Sequence, residues 1–178
     1  MGVYKELFVF VEGDDDERFF DGIIKPILSE KYDSVVIRQW AQEGRSKIDN
    51  YLKSIKSENW NAHYILVTDM DTPCVTAKKD GIQRRFKNVD RDRIMVVIKE
   101  IESWYLAVLD DDRSKKFGIR SFRTTEDITK EQFNALIPKE FGSEIDFMQE
   151  IVKPSNFDTQ TAKRKNRSLR YFVEKYDP

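Results

Sequence analysis

Four short apolar runs, each followed by a stretch of helical periodicity, constrain this chain more than anything else in it. The runs are residues 7–11 (LFVFV), 34–38 (SVVIR), 64–68 (YILVT) and 94–98 (IMVVI). A strand that is apolar at every position is one covered on both faces, and strands alternating with helices are the pattern of βα units around a parallel sheet. The expected fold class is therefore α/β, with a four-stranded, mostly parallel sheet flanked by helices. After the first run, Phe19, Phe20, Ile23, Ile24 and Ile27 keep helical spacing, and Pro26 is expected to kink or end that helix. Ile48, Tyr51, Leu52 and Ile55 mark a second helix, and Ile82 and Phe86 a third. Beyond the fourth run, Ile101, Trp104, Tyr105 and Val108 continue the helical period, with Trp104 expected in the core.

From residue 110 the character changes. Residues 110–128 are charged and poor in periodic apolar positions, which predicts a loop. Helical fragments recur over 130–136 and 143–152, with Pro138 and Pro154 as breaks, and a last helix is expected over 161–176. The expected division is an α/β unit over 1–109 with a mainly helical extension, 110–178, packed on it. The longest aliphatic run has five residues, against the roughly 20 needed to cross a bilayer, and no secretory leader pattern opens the sequence. A cytoplasmic protein without membrane contact is the expectation.

The residue inventory narrows the chemistry. Cys74 and His63 are the single cysteine and histidine, so an intramolecular disulfide, a Cys-rich zinc site and His-pair metal chemistry are excluded. Cys74 has no identifiable base beside it, and His63, just before a strand, is expected at the surface. Carboxylates must carry most of any catalysis. With 31 Lys or Arg against 32 Asp or Glu, the net charge of −1 excludes a uniformly basic nucleic-acid-coating surface. The bases are nevertheless gathered. Residues 78–93 hold seven Lys or Arg against three Asp, and 159–170 hold Lys163, Arg164, Lys165, Arg167 and Arg170 with no acid.

Three of the four runs end in carboxylates: Glu12 after the first, Asp69 and Asp71 after the third, Glu100 and Glu102 after the fourth. Ligands of open α/β sheets bind beyond the carboxyl ends of the strands, and right-handed crossovers bring those ends to one edge. Carboxylates crowded there would repel one another unless a divalent cation joined them, and Mg²⁺ favours such hard oxygen ligands. In an extended backbone Asp69 and Asp71, two residues apart, share a face and one ion. Glu100 and Glu102 share a face if the strand runs on, but point about 200° apart if the helix has begun, in which case Glu102 is favoured. The acidic residues 14–17 read as a helix start complementing the helix dipole.

Three segments in order, FVFVEGDDDERFF (8–20), YILVTDMD (64–71) and IKEIESWYLA (98–107), resemble the Toprim domain of topoisomerases, primases and the OLD (overcoming lysogeny defect) nucleases. The resemblance covers about residues 5–109. It implies a Rossmann-like Toprim fold and a Mg²⁺- or Mn²⁺-dependent nuclease acting on DNA or RNA, working with a separately encoded ATPase in phage defence or DNA repair. It makes Glu12 the general acid/base or a metal ligand, Asp69 and Asp71 magnesium ligands, and Glu102, with Glu100, the completion of a second metal site. Lys165, from the last basic run, is the expected catalytic-site cation. The sequence departs from the family at Thr72-Pro73-Cys74, where a glycine commonly follows the acidic pair. Two rival readings stand beside this one. Asp69-Met70-Asp71-Thr72 also resembles the nucleophile loop of haloacid-dehalogenase-like phosphohydrolases, with Asp69 as nucleophile. The other rival is a non-catalytic subunit that binds nucleic acid or a partner.

Overall fold

The structure, a computed structural model, describes residues 4–57 and 60–176. Its sheet has four strands, β1 (Glu6–Val11), β2 (Ser34–Gln39), β3 (Ala62–Asp69) and β4 (Ile94–Val97), in the order β2-β1-β3-β4. Every pairing is parallel. The uninterrupted apolar runs follow from what covers them. Side chains alternate across a strand, and here both sets are buried. Leu7, Val9, Val11, Ile65, Val67, Met95 and Val97 join one cluster, while Phe8, Phe10, Tyr64, Leu66, Ile94 and Val96 join the other.

The first face is covered by α1 (Asp14–Phe19), a π-helical turn at Phe20–Ile24 and α2 (Lys25–Leu28). The opposite face takes α3 (Trp40–Glu43), α4 (Arg45–Ile55) and α5 (Val75–Arg85), through Trp40, Ile48, Leu52, Ile55 and Ile82. The fold is thus α/β, with helices on both faces of a parallel sheet. The chain leaves β1 over one face to reach β2, then returns over the other to β3 on the far side of β1. The winding therefore reverses between β1 and β3, and that switch point is where α/β sheets open a crevice at their carboxyl ends.

The first face is completed by α6 (Glu102–Ala107), all six residues of which are buried, and by α7 (Asp111–Lys116), α8 (Lys130–Asn134), α9 (Glu144–Ile151), α10 (Thr159–Lys165) and α11 (Arg167–Tyr176). Phe117, Phe133, Phe147, Leu169 and Phe172 from this later part share the cluster of Val9 and Trp104. Trp104 and Tyr105 are wholly enclosed. Among the described residues no helix is long and apolar enough to cross a membrane.

Local structure departs from expectation in three places. The first helix does not end at Pro26 but continues to Leu28, interrupted by a π turn just before it. A proline ring clashes with the carbonyl four residues back and offers no N–H. The π turn relieves this by widening the helix, with the Lys25 amide donating to the Phe20 carbonyl five residues behind. Residues 110–128 contain a helix, α7, which the scarcity of apolar residues concealed. Asp110 caps it by accepting from the Arg113 amide at 2.8 Å, and its acids precede its bases as the helix dipole favours. The last helix is two, α10 and α11, divided at Asn166 in an extended conformation. The Asn166 side chain caps α11 by accepting from the Leu169 amide at 3.0 Å.

Candidate metal centre

The register of β1 and β3 pairs Phe10 with Leu66, so the chain positions just beyond bring Glu12 level with Thr68. Glu12 Oε2 accepts from Thr68 Oγ1 at 3.0 Å and from the Asp69 amide at 3.3 Å, which fixes this carboxylate across the switch point. Gly13 then turns the chain into α1, where its amide donates to Asp16 Oδ2 at 3.2 Å. The bond pulls Asp16 back over the strand end, and its side chain is only 5% exposed. Asp69 closes the group from the end of β3.

This cluster carries an electrostatic debt. Asp69 is pushed up to about 9 by burial and by the charges of Asp16, Glu12 and Glu102. Asp16 is pushed up to about 7, again first by burial and then by Glu12 and Glu102, against the bond from Gly13. One oxygen of each, Asp16 Oδ1 and Asp69 Oδ1, is buried without a hydrogen-bond partner. No Lys or Arg forms an ion pair with Glu12, Asp16 or Asp69 among the described residues. Orphaned carboxylate oxygens are costly. A hard cation would satisfy both oxygens and charge, although among the described residues the carboxylates whose oxygens all lie within 4.8 Å of one another are those of the adjacent group.

Next to it lies a second acidic group that is organised differently. Asp15 on α1, Glu102 opening α6 and Glu144 opening α9 each present an oxygen, and these atoms all lie within 4.8 Å of one another. The Lys130 ammonium stands 2.7 Å from Asp15, 3.4 Å from Glu102 and 3.4 Å from Glu144. Asp15 also takes Arg18 at 2.8 Å. Burial alone would raise Asp15, but the bonds from Lys130 and Arg18 outweigh it and hold its carboxyl below the usual range. Glu102, 3% exposed, remains raised, chiefly by burial, although Lys130 acts against this.

The turn between β4 and α6 sets Glu102 in place. Lys99 sits there at φ 64°, the left-handed region that a non-glycine residue enters at a cost of about 1–3 kcal/mol. Its carbonyl receives the Met70 amide at 3.2 Å, which ties this turn to the end of β3.

The expected residues separate accordingly. Glu12, Asp69 and Glu102 come together. Glu100 lies outside the helix and accepts from the Lys130 backbone amide at the start of α8. Asp71 stands apart, its side chain 70% exposed and paired with Lys78 at 2.7 Å. The shared face expected of Asp69 and Asp71 requires extended backbone, and β3 stops at Asp69. Lys165 donates to the Leu109 carbonyl beside Asp110 and Asp111, in a groove of about 870 Å³ lined also by Arg164 and Asp158. The cation in contact with the acids is instead Lys130. Asp15, Asp16, Glu144 and Lys130 were not singled out from the sequence. For Asp16 the signal was its position on the first turn after Glu12-Gly13; Glu144 and Lys130 lie beyond the four-strand unit and gave none.

No family model matches the chain, and no curated protein matches it. Among solved structures it is similar to the C-terminal region of the Burkholderia pseudomallei OLD protein, at 14% identity and TM-score 0.47, over 98% of this chain and 100% of that one. It is also similar to the C-terminal region of the Xanthomonas campestris pv. campestris OLD protein, at 14% identity and TM-score 0.44, over 94% of this chain and 95% of that one.

Proposed function

We propose that this chain is a divalent-metal-dependent nuclease of Toprim type that hydrolyses phosphodiester bonds in DNA or RNA. The observation that carries the reading is the Glu12–Asp16–Asp69 group at the switch point, with two buried oxygens lacking partners and no pairing cation among the described residues. These three carboxylates would hold Mg²⁺ or Mn²⁺. The ion, when bound, supplies Lewis acidity toward a phosphoryl oxygen and acidifies water. The chain's own part is orientation and proton handling. Thr68 Oγ1 and the Asp69 amide fix one oxygen of Glu12, and this carboxylate would take a proton from the attacking water. Exposed bases such as Arg164 and Arg170 on the last helices would meet the phosphate backbone. A separately encoded ATPase remains the proposed partner.

The phosphohydrolase reading asks Asp71 to serve as acid/base beside Asp69. Asp71 is instead exposed and held by Lys78, so the geometry favours the nuclease. The test is incubation of supercoiled plasmid, single-stranded DNA and RNA with Mg²⁺ or Mn²⁺. Glu12→Ala and Asp69→Ala should each lower cleavage by at least about 100-fold, since even groups that only orient metal ligands are worth 10–100-fold. Undiminished cleavage by folded Asp69→Ala would overturn the proposal.

A further inference from the structure

We infer that the Lys130 ammonium is a built-in cation filling the Asp15–Glu102–Glu144 cage, so that the chain takes one divalent ion, at Glu12, Asp16 and Asp69, rather than two. The inference rests on reading the Glu12 group as a metal centre. The three cage oxygens lie within 4.8 Å of one another, room for a single small cation, and the Lys130 nitrogen is already 2.7–3.4 Å from them. A magnesium ion needs oxygens at about 2.0–2.1 Å. It would have to stand in the space the ammonium occupies, so the two exclude each other.

The lysine is held there by more than its own charge. Lys130 is the first residue of α8, where the helix dipole disfavours a cation. Two features compensate. Thr129 and Gln132 cap α8 reciprocally, with the Thr129 amide donating to Gln132 Oε1 at 3.1 Å and the Gln132 amide to Thr129 Oγ1 at 3.4 Å. Glu100, two residues before Glu102, accepts from the Lys130 amide. The same short segment therefore grips the lysine by its backbone and, through Glu102, by its ammonium. With Arg18 also on Asp15, two protein cations face the cage, although Glu144 Oε1 within it lacks a hydrogen-bond partner just as Asp16 Oδ1 and Asp69 Oδ1 do, whereas the neighbouring group has no cation of its own among the described residues.

The mechanistic consequence is that one face of a scissile phosphate would meet a divalent ion and the other the part-exposed Lys130 ammonium, with Glu102 acting electrostatically on both groups. Lys130 is then a positioning residue for Glu102 and an electrostatic substitute for a second ion.

Counting bound Mn²⁺ tests this directly, by isothermal titration together with the electron paramagnetic resonance signal of the free ion. Wild type should bind one ion, Lys130→Ala should bind two, and Lys130→Gln, which keeps most of the volume without the charge, should also bind two. Asp69→Ala should bind none at the first centre. Two ions in the wild type would overturn the inference, as would a single ion in both Lys130 variants with unchanged melting curves. If either variant fails to fold, the wild-type count still decides. No bound ion in the wild type would instead sink the metal-centre reading itself, a result distinct from a count of two.

Discussion

Two acidic groups sit side by side at the carboxyl edge of the sheet, and consecutive residues divide between them. Asp15 and Asp16 are about 100° apart on α1, so one turns to Lys130 and the other to Asp69. Their fates diverge. Asp15, with Lys130 and Arg18 as partners, stays ionised more readily than a free aspartate, while Asp16, with only the Gly13 amide, resists ionisation. Equal residue types one position apart thus acquire opposite charge preferences, Asp16 from its deeper burial and nearby carboxylates and Asp15 from its two cations. One group meets its charge with protein cations, and the other has none among the described residues.

That contrast should appear first in the pH dependence of stability without metal. Asp16 and Asp69 have folded values raised from 3.8 to about 7 and about 9. Above pH 4 the unfolded chain releases these protons and the folded protein keeps them, so stability present below pH 4 is lost as pH rises toward 9. Asp15 contributes in the opposite sense: its depressed value gives stability above its ordinary range that disappears only as pH falls through it. In EDTA, the melting temperature should fall by more than about 5 °C between pH 5 and pH 9, a loss of ~2 kcal/mol being worth roughly 4–8 °C at this size. Asp69→Asn should flatten the curve, and added Mn²⁺ should reverse it. A flat wild-type profile in EDTA would remove the distinction between the two groups.

Glu102 belongs to both groups, so whatever supports α6 should weaken them together. Trp104 Nε1 donates to Ser168 Oγ at 2.9 Å, and the Ile98 amide reaches the same oxygen at 3.3 Å. Ser168 in turn donates to Asn166 Oδ1 at 2.8 Å, and Asn166 Nδ2 reaches Ser103 Oγ at 3.3 Å. These groups lie between β4, α6 and the start of α11. Ser168→Ala leaves the indole and an amide without an acceptor, at about 1–3 kcal/mol for each fully buried donor. Denaturant unfolding should show that loss, and Mn²⁺ binding should weaken with it. Unchanged stability would mean that water replaces the hydroxyl.

Much of this was legible in the sequence, and the parts that were not share a cause. β1, β3 and β4 declared themselves because a doubly covered strand is apolar almost throughout. Glu12, Asp69 and Glu102 could be picked out because strand ends converge. Asp16 hid among acids with an adequate explanation as a helix start, and its burial and the Gly13 bond distinguish it from the exposed Asp14. The face shared by Asp69 and Asp71 failed to form because it depends on where β3 stops, which the alternation of a few residues does not fix. Lys130 and Glu144 lie on short helices after residue 110, where capping and long-range ion pairs replace periodicity. No local pattern reports that a lysine at the start of one helix will reach an aspartate 115 positions away.

The smallest effect should separate the two groups most cleanly. Gly22 lies in the π turn, and a Cβ there would meet Val152 Cβ at 2.7 Å and Cγ2 at 3.0 Å, closer than such atoms pack. Val152 ends α9, the helix that carries Glu144 at its start. Gly22→Ala must therefore push α9 away from the helix bearing Asp15, at the about 1–3 kcal/mol typical of overpacking. Glu144 should withdraw from Lys130, while Glu12, Asp16 and Asp69, none of which lies on α9, keep their arrangement. The expected result is a melting temperature lower by a few degrees with the affinity for the first Mn²⁺ changed less than about threefold, a difference below ~0.7 kcal/mol. A large loss of Mn²⁺ affinity in this variant would show that the two acidic groups act as one site, and that their separation in space is not a separation in function.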